Sequence, residues 1–324
     1  MFSFNDLLIK TDELLETVSM VGEPKELYEP MEYALAMGGK RLRPVLCLMA
    51  CDMMGGKIEK AHCAAIALEI FHNFTLVHDD VMDKAPIRRG KSSVFSKWNS
   101  DIALLSGDTM FAIAYRELSK TEPVFLPDIL KIFTQTAIEV CEGQQYDMNF
   151  ETLREITMQE YLTMIRLKTA VLISCCLTTG ALIGGASAVE CEKMYQLGIN
   201  LGMAFQLKDD LLDAFGNEKK FGKISGGDIL TNKKTFLFIK ALEIASAEQK
   251  ACLLKYYSHT DFDAEEKIRE IKDIYMKLDI PRHTEECMNE YHVKSLEIID
   301  SLAVADANKA ELLAVTNQLS TRDF

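Results

Sequence analysis

The sequence predicts an all-α protein, and three observations carry that expectation. Apolar residues recur with a 3.6-residue period from end to end, alternating strand patterns are absent, and only 7 Pro and 17 Gly stand among 324 residues. A β-sandwich or barrel of this size needs more turn residues than that. With 48% apolar and 26% charged residues, the composition is that of a folded chain rather than a disordered one. No low-complexity linker divides it, so one all-α domain over residues 1–324 is expected.

The elements follow in order. The period places helices at about 3–20 and 30–38, with Pro30 suited to open the second and Gly38-Gly39 to close it. Helices over 41–54 and 59–83 come next, separated by Gly55-Gly56, then 100–120 and 125–146. The stretches 62–77 and 169–183 are apolar nearly all round, as buried central helices are. Helices over 158–183 and 188–216 flank Gly184-Gly185, and one over 229–246 follows the break at Gly226-Gly227. Patterns at 263–279, 285–303 and 307–319 complete the chain.

Lys plus Arg is 36 and Asp plus Glu is 49, so the net charge is 36 − 49 = −13. A chain this acidic lacks the basic surface that phosphate backbones need, and nucleic acid is not an expected partner. The 9 cysteines have no disulfide or zinc-ribbon spacing; Cys47 and Cys51 lack a second pair of ligands, and Cys175-Cys176 are adjacent. Reduced core thiols and a cytoplasmic location are expected. The start, Met1 to Asp6, shows neither the basic nor the apolar region of a signal peptide. The apolar stretch Thr169 to Ala186 contains Ser, Thr and Gly, and no transmembrane segment is expected.

The sharpest feature occurs twice. Asp79-Asp80-Val81-Met82-Asp83 and Asp209-Asp210-Leu211-Leu212-Asp213 share a D-D-x-x-D spacing 130 residues apart, each inside an apolar helix. At about 100° per residue the three carboxylates of each set crowd one helical face. Like charges that close repel, and hard divalent cations such as Mg²⁺ compensate them best. Basic groups gather nearby: Lys40-Arg41-Leu42-Arg43 after Gly38-Gly39, Arg88-Arg89-Gly90-Lys91 after the first acidic set, and Lys223 and Lys233-Lys234 after the second. Arg forks and Lys point charges suit phosphate oxygens, so a diphosphate held between Mg²⁺ and cationic side chains is the natural occupant. His72 lies seven residues before Asp79 and Gln206 seven before Asp213, each near the acidic face, whereas His78 points elsewhere and reads as structural. Gly202 leaves room for a ligand or a close helix crossing, and Lys168-Thr169 opens a very apolar helix.

These segments resemble the trans-isoprenyl diphosphate synthases, or polyprenyl synthetases. The resemblance is carried in order by Gly39-Lys40-Arg41-Leu42-Arg43-Pro44, Phe71 through Asp83, Arg88-Arg89-Gly90, Gly143-Gln144-Gln145-Tyr146-Asp147, Lys168-Thr169, Phe205 through Asp213, Gly222-Lys223, Gly226-Gly227-Asp228 and Lys233-Lys234-Thr235. It runs from about residue 30 to 240, and the tail beyond 250 matches only in helical character.

The resemblance implies an isoprenoid synthase-type helical bundle around a central active-site cavity, usually as a homodimer. It implies 1′–4 head-to-tail condensation of isopentenyl diphosphate with an allylic diphosphate (dimethylallyl, geranyl or farnesyl) and release of diphosphate, which would accept the final proton. By the family pattern Asp79, Asp83 and Asp209 would ligate three Mg²⁺, with Mn²⁺ a possible substitute, and Asp80, Asp210 and Asp213 would be further ligands or sit behind them. Arg88, Lys168, Lys223 and Lys233 would bind the allylic diphosphate; Lys40, Arg43, His72 and Arg89 would bind isopentenyl diphosphate. Thr169 and Gln206 offer oxygens to the allylic cation.

A class I terpene cyclase also uses Asp-rich helices, but its usual second motif is of the Asn/Asp–Ser/Thr–Glu type and it lacks the Gly-Gly-Lys-Arg-Leu-Arg-Pro run. A non-catalytic subunit of a heteromeric synthase tends to lose motif residues, and none is lost here. Product length depends on which bulky side chain closes the channel below the first acidic set. Phe74 and Thr75, the fifth and fourth residues before Asp79, are the family's frequent candidates; Phe71 and Phe111 are others. One aromatic there implies a short-chain product, C20 ahead of C15.

Overall fold

The computed structural model describes residues 2–153, 155–216, 226–258 and 262–321. It is all-α, as expected. Its contacts form two compact units, 1–134 with 175–195 and 302–312, and 135–174 with 196–301 and 313–324. Several unit boundaries fall inside continuous helices, which is why no linker marks them in a sequence that reads as one domain.

In the first unit, α1 (Phe4–Glu16) starts at a capping box in which the Ser3 hydroxyl accepts from the Asp6 N–H and the Asp6 carboxylate accepts from the Ser3 N–H. Pro30 lies inside α2 (Lys25–Ala36), not at its start. Pro24 takes the N-cap position instead, and a second-turn proline forgoes one intrahelical bond while burying its ring. Helix α3 (Leu42–Met53) is buried along almost its whole length, with Cys47 and Cys51 as buried free thiols. The apolar helix α4 (His62–Met82) packs against α3 and α6 (Ser100–Leu118). A Cβ at Gly107 would strike the His78 ring, so glycine permits this crossing of α4 and α6.

A short antiparallel pair, β1 (Ile87–Arg88) with β2 (Lys91–Ser92), corrects the expectation of no strands. Its turn is Arg89-Gly90, both with positive φ, 52° and 75°. That is the backbone of a two-residue hairpin loop, too short to show as alternation in the sequence. A four-residue helix, α5 (Val94–Lys97), capped by Ser93, leads on to α6.

Helix α7 (Leu126–Thr152) runs longer than the expected 125–146. In the second unit, α8 (Met158–Ile165) passes through a π turn, Arg166–Ala170, into α9 (Val171–Ile183), where one unbroken helix was expected. The run Met158–Ile183 is long and apolar enough to cross a membrane, but 83% of its apolar window is buried inside the fold, which makes it a core element. Helix α10 (Ala188–Phe215) meets the π turn where Gly202 faces Ala170; a Cβ there would lie 2.6 Å from the Ala170 Cβ. Of the two uses expected for Gly202, the described contacts show the close crossing.

The expected helix over 229–246 is two, Gly227–Leu230 and Phe236–Ile244, because the polar run Thr231 to Thr235 turns through Asn232 at φ 59°. The helices Ala247–Ser258, unforeseen from the sequence, Ala264–Lys277, Ile280–Ser301 and Asp306–Thr321 follow. Tyr161, Leu207, Leu211, Phe236, Phe238 and Tyr275 anchor this unit's core.

Candidate active site

The first acidic set closes α4. The Asp83 N–H donates to the Asp79 carbonyl at 2.8 Å, so helical spacing extends through the whole set. Asp80 is buried, and one of its oxygens accepts from Arg88 Nε at 2.9 Å and Nη2 at 2.6 Å. Burial pushes this carboxyl up, against the pull of Arg88. Asp80 is thus bound to protein through Arg88. The hairpin that carries Arg88 also carries Arg89, whose guanidinium donates to the Gly38 carbonyl. A Cβ on Gly39 would lie 2.8 Å from that guanidinium.

Arg43 and His72 meet at 3.0 Å. Burial first, then the charges of Arg43, Arg89, Arg88 and Arg41, hold the His72 imidazole well below its ordinary pKa, so it is neutral near pH 7. Protonation therefore favours the unfolded chain as the pH drops. Stability is full above about pH 6.5, the unfolded value, and is lost as the pH falls from there toward the folded pKa. His72→Gln is expected to flatten this loss; thermal melts between pH 7.5 and 5 that show equal acid sensitivity in both proteins would reject it. His78 is structural, bonded to the Leu104 carbonyl at 3.1 Å.

Around the second set, hydrogen bonds form a chain. Thr169 donates to the Gln206 side-chain oxygen at 2.9 Å, Gln206 Nε2 donates to Asp210 at 3.0 Å, and the buried Tyr161 hydroxyl donates to the other Asp210 oxygen. Burial, then Asp228, pushes the Asp210 carboxyl up to about 7, against the two hydrogen bonds. Asp213 accepts the Asp228 backbone N–H at 2.8 Å and anchors the Gly226–Asp228 segment. Asp210 and Asp213 are therefore both engaged by protein donors, and Gln206 presents its oxygen to Thr169.

Lys168 Nζ donates to Asp147 at 2.6 Å. Burial pushes the Asp147 carboxyl up, but the ammonium groups of Lys168 and Lys233 and the Lys168 hydrogen bond pull it below the usual carboxylate range. Lys168 and Lys233 thus share one carboxylate's surroundings. Gly222 and Lys223 lie outside the described residues.

Asp147, Tyr161 and Glu69 were assigned no role from the sequence. Asp147 stood within a quoted motif, Tyr161 lies seven residues before Lys168, and Glu69 is a lone acid in the apolar stretch 62–77. Each carried a usable signal.

Phe74 stacks on Phe111 with ring centroids 5.1 Å apart and planes at 20°, and Phe71 sits against both and against Phe133. Thr75 turns its hydroxyl onto the His72 carbonyl at 2.8 Å. An aromatic wall thus stands about one and a half turns before Asp79 on α4.

Among the described residues no three His, Cys, Asp or Glu side chains stand close enough to hold a metal ion by themselves. Mg²⁺ is commonly held by only one or two carboxylates, with substrate phosphates and water completing the shell. The aspartates of each acidic set offer hard oxygens of the kind Mg²⁺ prefers.

A family model described as polyprenyl synthetase matches residues 24–275. The chain is 41% identical over 234 residues to a geranylgeranyl diphosphate synthase of Methanosarcina mazei, covering 72% of each. It is 32% identical over 298 residues to a geranylfarnesyl diphosphate synthase of Aeropyrum pernix, covering 90% of this chain and 92% of that one. A crystal structure of a geranylgeranyl pyrophosphate synthase superposes with a TM-score of 0.94 at 42% identity, covering 99% of both chains. Fold and sequence together define the class: an all-α prenyltransferase that makes isoprenoid diphosphates. The chain belongs to the polyprenyl synthetase family.

Proposed function

We propose that this enzyme condenses isopentenyl diphosphate with allylic diphosphates head-to-tail, depends on Mg²⁺, and stops at geranylgeranyl diphosphate. The observation that supports it most is the pair of D-D-x-x-D sets in a chain that matches the polyprenyl synthetase model over residues 24–275. Arg88, Tyr161, Gln206 and the Asp228 N–H engage Asp80, Asp210 and Asp213. By the family pattern Asp79, Asp83 and Asp209 are the metal ligands. Bound Mg²⁺, or Mn²⁺ in its place, would neutralise the leaving diphosphate as its charge develops.

The remaining steps fall to the chain's own residues. Lys168 and Lys233, with Arg88 and Lys223, bind the allylic diphosphate and stabilise its departing charge. Lys40, Arg43, Arg89 and neutral His72 hold isopentenyl diphosphate. Thr169 and Gln206 present oxygen dipoles to the allylic cation, and apolar walls exclude the water that would trap it. The released diphosphate accepts the proton. A homodimer in the cytoplasm is proposed on the family resemblance.

Labelled isopentenyl diphosphate incubated with dimethylallyl, geranyl or farnesyl diphosphate tests this. Turnover should disappear with chelator and return with Mg²⁺, and chromatography should show a C20 product. No condensation with any primer would refute the reaction; a product of C30 or longer would refute the short-chain reading.

The aromatic wall supports C20. Phe74→Ala removes the ring stacked on Phe111, and the product is expected to lengthen by one or more C5 units. An active, folded variant that still gives the wild-type product would show that Phe74 is not the floor.

A further inference from the structure

Glu69 is 2% exposed in the apolar helix α4, and no part of the proposed reaction needs a carboxylate there. Its partner is Arg41, 8% exposed, whose Nη1 donates to Glu69 at 2.7 Å. Asn73 Nδ2 donates to the same carboxylate oxygen at 3.1 Å and to the Glu69 carbonyl at 2.8 Å. The other arms of Arg41 reach the Leu35 carbonyl at 2.9 Å and Asp12 at 3.3 Å. Arg41 therefore ties α4 to the C-terminal end of α2 and to α1.

The backbone of Arg41 has a left-handed φ of 47°, and Gly38 and Gly39 before it have φ of 76° and 142°. Glycine adopts such angles freely, but arginine does so at a cost, and a strained residue persists where its surroundings over-determine it. The buried Glu69–Arg41 pair supplies that hold. The turn it fixes carries Lys40 and leads directly into Arg43, which meets His72 at 3.0 Å, one helical turn after Glu69. The same turn offers the Gly38 carbonyl to Arg89. Arg41, Arg43, Arg88 and Arg89 all act electrostatically on His72, and Glu69 acts on Arg89. Glu69 is thus a buried negative charge beside Arg41 and Arg89, as Asp80 is beside Arg88.

We propose that Glu69, acting through Arg41, is a positioning residue for isopentenyl diphosphate: it locks the Gly38–Arg41 turn so that Lys40, Arg43 and Arg89 present their charges together. This rests on the reading that those residues with His72 bind isopentenyl diphosphate.

Steady-state kinetics with each substrate varied in turn tests it. Glu69→Gln keeps the shape and removes the charge; the KM for isopentenyl diphosphate should rise about tenfold or more, with the allylic KM changed less than about twofold. The double variant Glu69→Gln with Arg41→Leu removes both charges and should recover melting temperature, because a neutral apolar replacement relieves the unpaired buried ion. Its KM for isopentenyl diphosphate should stay raised, which a merely stabilising pair would not produce. Equal rises in both KM values, or a double variant whose isopentenyl diphosphate KM returns to wild type, would overturn the proposal. Arg43→Ala separates the two levels. If it leaves that KM unchanged, the underlying binding reading fails; if it raises the KM while Glu69→Gln does not, only the positioning role fails.

Discussion

Asp79→Ala and Asp209→Ala are each expected to lower kcat by about 10³-fold or more, the largest effects of any single substitutions in this protein. Breaking an allylic C–O bond leaves a cation and a diphosphate whose new charge must be neutralised as it forms. By the family pattern each aspartate supplies a hard oxygen ligand to the metal that neutralises this charge. A thousandfold loss corresponds to about 4 kcal/mol of transition-state stabilisation, reasonable for a lost metal ligand. Asn at either position keeps an oxygen but not the charge, and should recover only a fraction. Single-turnover rates at saturating Mg²⁺ provide the measurement, with circular dichroism confirming that each variant folds. Near-full turnover in either variant would refute the two-motif metal site.

Lys168→Ala is expected to reduce kcat/KM for the allylic diphosphate by about 10²-fold, with a smaller effect on isopentenyl diphosphate. The ammonium sits at 2.6 Å from Asp147, with both side chains about four-fifths shielded from solvent. Its position is therefore set by the fold before substrate arrives, and its charge acts in partly desolvated surroundings. Asp147→Asn keeps the cation but loosens it, and about a tenfold loss should follow. Removing Lys168 also leaves Asp147 with a lost charge-assisted hydrogen bond, costing about 1.5–3 kcal/mol of stability. Initial rates with each substrate varied separately, beside thermal melts, distinguish the two effects. If Lys168→Ala kept its allylic kcat/KM within about threefold, the assignment of Lys168 to the leaving group would be wrong.

The helical class and both acidic sets were legible because they depend on local spacing. A 3.6 period and a D-D-x-x-D pattern are properties of neighbouring residues. What escaped depends on partners distant in sequence. Nothing local shows that Asp80 pairs with the Arg88 guanidinium, eight residues on and around a hairpin. Tyr161 reaches Asp210 across 49 positions, and Glu69 reaches Arg41 across 28. The hairpin at Ile87–Ser92 was missed because each two-residue strand spans a single cycle of the strand alternation, too little to form a pattern. Pro30 misled because the rule favouring proline at a helix start is statistical, and the helix begins about a turn and a half earlier, after Pro24 at its N-cap.

The π turn at Arg166–Ala170 has a consequence for how this site tolerates change. A π turn is an α-helix holding one residue too many, so the extra residue is absorbed locally and the apolar register resumes on both sides. Lys168 and Thr169 fall within it, polar residues set between Ile165 and Val171, both buried. Deleting one residue from the five would restore α geometry with the flanking helices still in register, but Lys168 and Thr169 would lose the local turn that sets them, whereas a deletion in the regular helix on either side would rotate what lies beyond by about 100°. Conservative replacements in this helix are thus cheap, whereas a change of length by one is not: the segment is punctuated by count rather than by composition.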